Sequence, residues 1–109
     1  MLARENRLPA TVKLPRAGFA KTELFSVKYS VNNLPHSRFA FVVRKSVDTR
    51  AVVRNRIKRL FRSCIESRLD KISVGYDMLF FLEKGIINKQ QADLCIEIHA
   101  FLQQKRLIT

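Results

Sequence analysis

Acidic residues are scarce in the first 62 positions of this chain, where Glu5, Glu23 and Asp48 stand against fifteen Lys and Arg. Residues 63–109 hold six of each sign, so the net charge of +12 belongs to one side of the sequence. Charge of one sign at that density repels itself and works against folding, which points to a polyanionic partner. A metal-ion nuclease needs clustered oxygen ligands, because Mg²⁺ and Ca²⁺ are hard cations. Carboxylates this few and dispersed exclude that class for the chain acting alone. His36 and His99 are far apart in sequence, and three glycines supply no phosphate-cradling loop. No catalytic residue and no metal ligand is therefore assigned.

Other shortages narrow the class further. Three Gly and three Pro, with 47% apolar residues, describe a globular chain rather than a disordered one. No apolar run approaches the roughly 18 residues of a membrane span, and the N-terminal stretch lacks the apolar core of a secretory signal. Cys64 and Cys95 form no CxxC pair and are expected to be reduced core thiols of a cytoplasmic protein. A length of 109 residues fits one domain. Within it, residues 1–21 are expected to be a basic extended arm and 22–109 the folded core. Pro9 and Pro15 break any helix in the arm, and Arg4, Arg7, Lys13, Arg16 and Lys21 make it basic.

Periodicity supplies the elements. Phe25, Val27, Tyr29 and Val31 alternate with Ser26, Lys28 and Ser30, the pattern of a half-buried strand. After the turn residues 32–36, the stretch RFAFVVRK (38–45) alternates again, and the short link predicts an antiparallel hairpin. DMLFFLE (77–83) is a continuous apolar run, suited to an interior strand covered on both faces. From Lys89 to Arg106 the period is helical, with Leu94, Cys95, Ile98, Phe101 and Leu102 on one stripe. The order arm–β–β–α–β–α predicts an α+β fold, a two-layer sandwich of helices on a small, mostly antiparallel sheet.

The most informative stretch is RAVVRNRIKRLFR, Arg50 to Arg62. At about 100° per residue, Val53, Ile57, Leu60, Phe61 and Cys64 fall on one arc. Arg54, Asn55, Lys58, Arg59 and Arg62 fall on the opposite arc, with Arg56 at the flank. Asp48 or Thr49 is the expected N-cap, and the helix is expected to run to about Leu69. An exposed helix face normally intersperses acids at i±4, and here none appears before Glu66. Arginine grips phosphate with two parallel hydrogen bonds, and asparagine can donate to a phosphate or read a base edge. Anionic lipid is the competing polyanion, but the polar arc carries Asn55 and no large apolar wedge. Phe25 and Tyr29 are candidates for stacking on bases, with core packing as the competing use.

These residues carry a resemblance. Arg54-Asn55-Arg56 followed by Ile57-Lys58-Arg59 and then Arg62, on a helix after a strand that ends in basic residues, resembles the signature of the bacterial ribonuclease P protein subunit. Asn6-Arg7-Leu8, Ser37 to Lys45, Gly75-Tyr76-Asp77 and the C-terminal helix are also similar to that family. The resemblance implies a fold like the second domain of ribosomal protein S5, including a left-handed βαβ crossover. It implies a protein that assists a catalytic RNA in removing the 5′ leader from precursor tRNA, with Mg²⁺ held by the RNA and not by this chain. The RNA-binding residues so implied are Arg7, Lys45, Arg54, Asn55, Arg56, Lys58, Arg59 and Arg62, with the leader in a neighbouring cleft. To that set the residues themselves add Arg44 and Arg50 for RNA binding, and Phe25 and Tyr29 as candidates for leader contact. The expected partners are the catalytic RNA and precursor tRNA, with no membrane and no obligate protein partner.

Two positions depart from the family pattern. The basic pair before the helix is usually Lys-Lys, whereas here Ser46 follows Lys45 and Arg44 precedes it. The family's first helix, which carries two phenylalanines near the leader, corresponds here to a short stretch interrupted by Pro9 and Pro15, so that helix is expected to be truncated; Phe19 is the nearest aromatic. The alternative reading is a non-enzymatic RNA-binding or ribosome-associated protein on the same fold. A third is a DNA-binding protein whose basic helix enters a major groove.

Overall fold

Tyr76–Leu82, the most apolar strand of the chain, lies in the interior of the sheet, where both of its edges are paired. Its helix-side face is buried, whereas Phe81 on the other face is only half-buried rather than covered as expected. The computed structural model describes residues 2–9, 14 and 17–105. The strands are β1 (Gly18–Lys21), β2 (Phe25–Val31), β3 (Arg38–Val42) and β4 (Tyr76–Leu82), in spatial order β1-β2-β4-β3. β1 with β2 and β2 with β4 are antiparallel, whereas β3 with β4 is parallel. Two helices, α1 (Ala51–Glu66) and α2 (Gln91–Gln104), complete the α+β fold.

The hairpin expected between β2 and β3 does not form, because β4 inserts between them. The loop after β2 is tied to the entry of β4 instead: Asn32 N donates to the Gly75 carbonyl at 2.8 Å, and Gly75 turns there with φ +88°. A strand this apolar gains most from the centre of a sheet, and that preference overrides the short link between β2 and β3. β3, α1 and β4 consequently form a βαβ unit whose strands are direct neighbours.

The arm also differs from expectation. Gly18–Lys21 is an edge strand rather than part of an extended tail, Arg4–Asn6 makes a single 3-10 turn, and Leu2 and Leu8 are buried. Lys13, Pro15, Arg16 and Arg106 lie outside the described residues, as does most of the stretch where a truncated first helix is expected.

The helix-side core carries the packing. α1 buries Val53, Ile57, Phe61, Cys64 and Ile65, and α2 buries Leu94, Ile98, Phe101 and Leu102. Phe25 sits among three rings, with Phe61 and Phe101 edge-on at 5.2 Å and Phe80 at 5.7 Å. Such edge contacts add about 0.5–1.5 kcal/mol each beyond burial. On the opposite face of the sheet a smaller cluster forms from Leu8, Ala40 and Leu79, with Val42 and Phe81 against it.

Cys64 and Cys95 are not free thiols. They form a disulfide joining α1 to α2, with the two Cα atoms 5.0 Å apart and no free cysteine remaining. The pairing follows from helix packing across 31 positions of sequence, which no local spacing motif announces. Among the described residues, no helix is long and apolar enough to cross a membrane.

Candidate nucleic-acid interface

The apolar stripe of α1 decides which side chains remain outside. With Val53, Ile57 and Phe61 pinned to the core, Arg50, Asn55, Arg56 and Arg59 are exposed, and Arg54, Lys58 and Arg62 are half-buried along their stems. Long basic side chains can lie against the helix while their charged heads stay in water. Asn55, Lys58, Arg59 and Arg62 line one shallow depression on the helix surface together with Val52. Arg56 is exposed but lines neither this depression nor the groove beside it.

The start of α1 is built differently from the expected cap. Neither Asp48 nor Thr49 is the N-cap; Arg50 is, and no side chain caps it. Asp48 acts from outside the helix, accepting from Arg50 N at 2.8 Å and from Arg50 Nη2 at 2.9 Å and Nε at 3.1 Å. These bonds from the Arg50 side chain and backbone hold the Asp48 carboxyl down to about 2. Arg54 Nη1 donates to the carbonyls of Asp48 and Thr49 at 3.0 and 2.8 Å, so this arginine already fastens the entry to the helix. α1 ends at Glu66, and Leu69 belongs to a separate 3-10 turn.

Beside the depression lies a second groove of about 390 Å³, lined by Arg7, Lys58 and Arg62 over Phe39 and Phe41. Arg44 and Lys45 are exposed just beyond β3, and the Arg44 guanidinium stands 5.1 Å from the centre of the Phe81 ring. Phe81 faces away from the helices and also has Lys28 Nζ at 5.9 Å.

Phe25 is fully buried in the helix-side core, which removes it as a base-stacking residue. Tyr29 packs against the same core, with its ring over Gly18, where an added Cβ would lie 2.7 Å from the ring. Both belong to the face of the sheet opposite Lys28. Aromatic and cationic side chains are instead presented on the outer face: Phe19, 61% exposed, pairs across the strands with Lys28, and Lys28 with Leu79. Lys28 alternates outward from the core in the sequence, but which other strands share its face depends on the strand order. Phe81 and Lys28 therefore escape a sequence reading.

The family model described as Ribonuclease P matches residues 11–106. A ribonuclease P protein component from Fusobacterium nucleatum is 43% identical over 56 residues, 51% of this chain and 50% of the relative, so that match spans half of the relative's length. One from Microcystis aeruginosa is 31% identical over 86 residues, 78% of this chain and 72% of the relative. Among solved structures, the RNase P protein of Thermotoga maritima superposes with a TM-score of 0.75 at 20% identity, covering 82% of this chain and 84% of that one. The extent of the family match, together with relatives of one description and a shared fold, establishes that the chain belongs to the ribonuclease P protein family.

Proposed function

We propose that this chain is the protein component of a ribonuclease P, docking on a catalytic RNA through the basic face of α1 and helping to hold the 5′ leader of precursor tRNA. The observation that carries the reading is the position of Asn55, Lys58, Arg59 and Arg62 around one depression, on a helix that the family model covers. Hydrolysis, on this reading, belongs to the RNA and its Mg²⁺. Two of the chain's carboxylates are already engaged by arginines, Asp77 by Arg38 and Asp48 by Arg50. Among the described residues, no three His, Cys, Asp or Glu gather as a metal site.

The outer face of the sheet is the place we assign to the leader. Single strands bind where aromatic rings offer stacking surfaces and cations track the backbone. Phe19 and Phe81 supply the rings, and Lys28 and Arg44 the cations. Such a protein works in the cytoplasm alongside its RNA.

The test is reconstitution with the cognate catalytic RNA and a Mg²⁺ titration of precursor-tRNA cleavage. The protein is expected to lower the Mg²⁺ required; an unchanged titration curve would overturn the assignment.

A further inference from the structure

Residues 2–8 pass over the free edge of β3. Leu2 is buried in the helix-side core, and Leu8 is buried in the cluster on the other face of the sheet. The crossing is pinned by a side chain and by the backbone. Asn6 Nδ2 donates to the Ser37 carbonyl at 2.8 Å, and Arg7 forms a parallel bridge with Phe39 in which Leu8 N donates to the Phe39 carbonyl at 2.9 Å. Arg7 is thereby held at the edge itself, its Nε donating to the Leu2 carbonyl at 3.0 Å.

Across the groove stand Lys58 and Arg62, one turn apart on α1. The floor between them comes from both sides of the sheet: Phe39 and Phe41 belong to the helix-side core, Leu8 and Ala40 to the outer cluster. The Arg62 guanidinium lies 5.8 Å from the centre of the Phe41 ring. No acidic side chain lines the groove.

We propose that Arg7, Lys58 and Arg62 form one seat for a single RNA phosphodiester, leading a bound strand from the basic face of α1 around the β3 edge onto the outer face of the sheet. The proposal rests on the reading that the chain docks on RNA, and it adds where the strand turns. Three cations converging over an apolar floor attract a phosphate more strongly than the same charges spread in water. Two of them are arginines, able to grip its oxygens with paired hydrogen bonds. The strap bearing Arg7 is already fastened, so closing the seat adds little ordering cost.

A double-mutant cycle on the full chain tests the seat, reading equilibrium affinity for the transcribed cognate catalytic RNA over a salt series. Arg7→Met and Arg62→Met each remove a charge while keeping an apolar stem, and each is expected to weaken binding about tenfold, as for loss of a charged hydrogen bond. Sharing one phosphate, the pair together loses clearly less than the product of the single losses. Arg59→Met, outside the groove, is expected to multiply with Arg7→Met. Arg7→Lys loses the Nε bond to Leu2 but keeps the charge, so it retains most of the affinity if charge rather than strap anchoring is the cause. Multiplying losses for Arg7 and Arg62, a silent Arg7→Met, or a Lys variant as weak as the Met variant would each overturn the seat. If Arg59→Met and Arg62→Met both leave affinity and salt slope unchanged, the docking reading falls as well. Loss at those two with silence at Arg7 sinks the seat alone.

Discussion

Arg38 and Asp77 face each other across the parallel β3–β4 pair and join at two points, Nε to Oδ1 at 2.8 Å and Nη2 to Oδ2 at 2.7 Å. Asn32 Nδ2 adds a third bond to Asp77 Oδ1 at 2.9 Å. Burial opposes ionisation of this carboxyl, but the bonds from Arg38 and Asn32 outweigh it and hold the carboxyl below its ordinary value of 3.8. A depressed carboxyl contributes stability above its unfolded value and loses it as pH falls through the folded one. Arg38→Met, which removes two of the bonds to a buried carboxylate, should therefore cost about 1.5–3 kcal/mol near pH 7, the range for hydrogen bonds to a charged group. In urea titrations at successive pH values, the gap between variant and parent should close below about pH 4; a gap of constant size would show that the pair does not act through its charge.

Asp48 stands at the entry to the helix that bears the proposed docking face, and it occupies Arg50. Asp48→Asn should release that arginine and raise RNA affinity a few-fold. The slope of log affinity against log salt should steepen by up to about 0.7–0.9, the increment for one added phosphate contact. Weaker binding would mean that Asp48 matters more for holding the start of α1 than for restraining Arg50.

The arginines of α1 should separate into two kinds. Arg59 is exposed and makes no bond to the helix entry, so Arg59→Met is expected to weaken RNA binding and leave the melting temperature nearly unchanged. Arg54 fastens the carbonyls of Asp48 and Thr49, so Arg54→Met should lose affinity and also about 1 kcal/mol of stability. Thermal melts beside binding isotherms make the comparison; equal melting temperatures for the two variants would contradict it.

The disulfide closes a loop with a sequence separation of 31, which the chain-entropy relation values at between about 3 and 4 kcal/mol. Reduction should lower the melting temperature by about 10 °C or more, since about 1 kcal/mol shifts a domain of this size by several degrees. The fold should survive at 25 °C, because Phe61, Ile65, Ile98 and Leu102 still pack between helices and sheet. Calorimetry with and without a thiol reductant checks both parts.

Much of the architecture was legible in local pattern. Alternation marked β2 and β3, the apolar run marked β4, and the wheel of α1 separated Val53, Ile57 and Phe61 from the basic arc. What misled was proximity in sequence: a short link suggested a β2–β3 hairpin, and Pro9 with Pro15 suggested an arm reaching to Lys21. Phe25 was ambiguous for a related reason, since an aromatic on a strand serves a core or a base stack equally well until the strand's two faces are known.

By itself the sequence determined the helix and its basic arc, which depend on residues within a few positions of one another, and the one-sided charge, which is a matter of composition alone. Only the tertiary structure decided that β4 separates β2 from β3, that Cys64 meets Cys95, and that Arg7 stands across from Lys58 and Arg62. Those relationships join residues tens of positions apart. They are set by which apolar faces find one another in the core, and local periodicity carries no record of that choice.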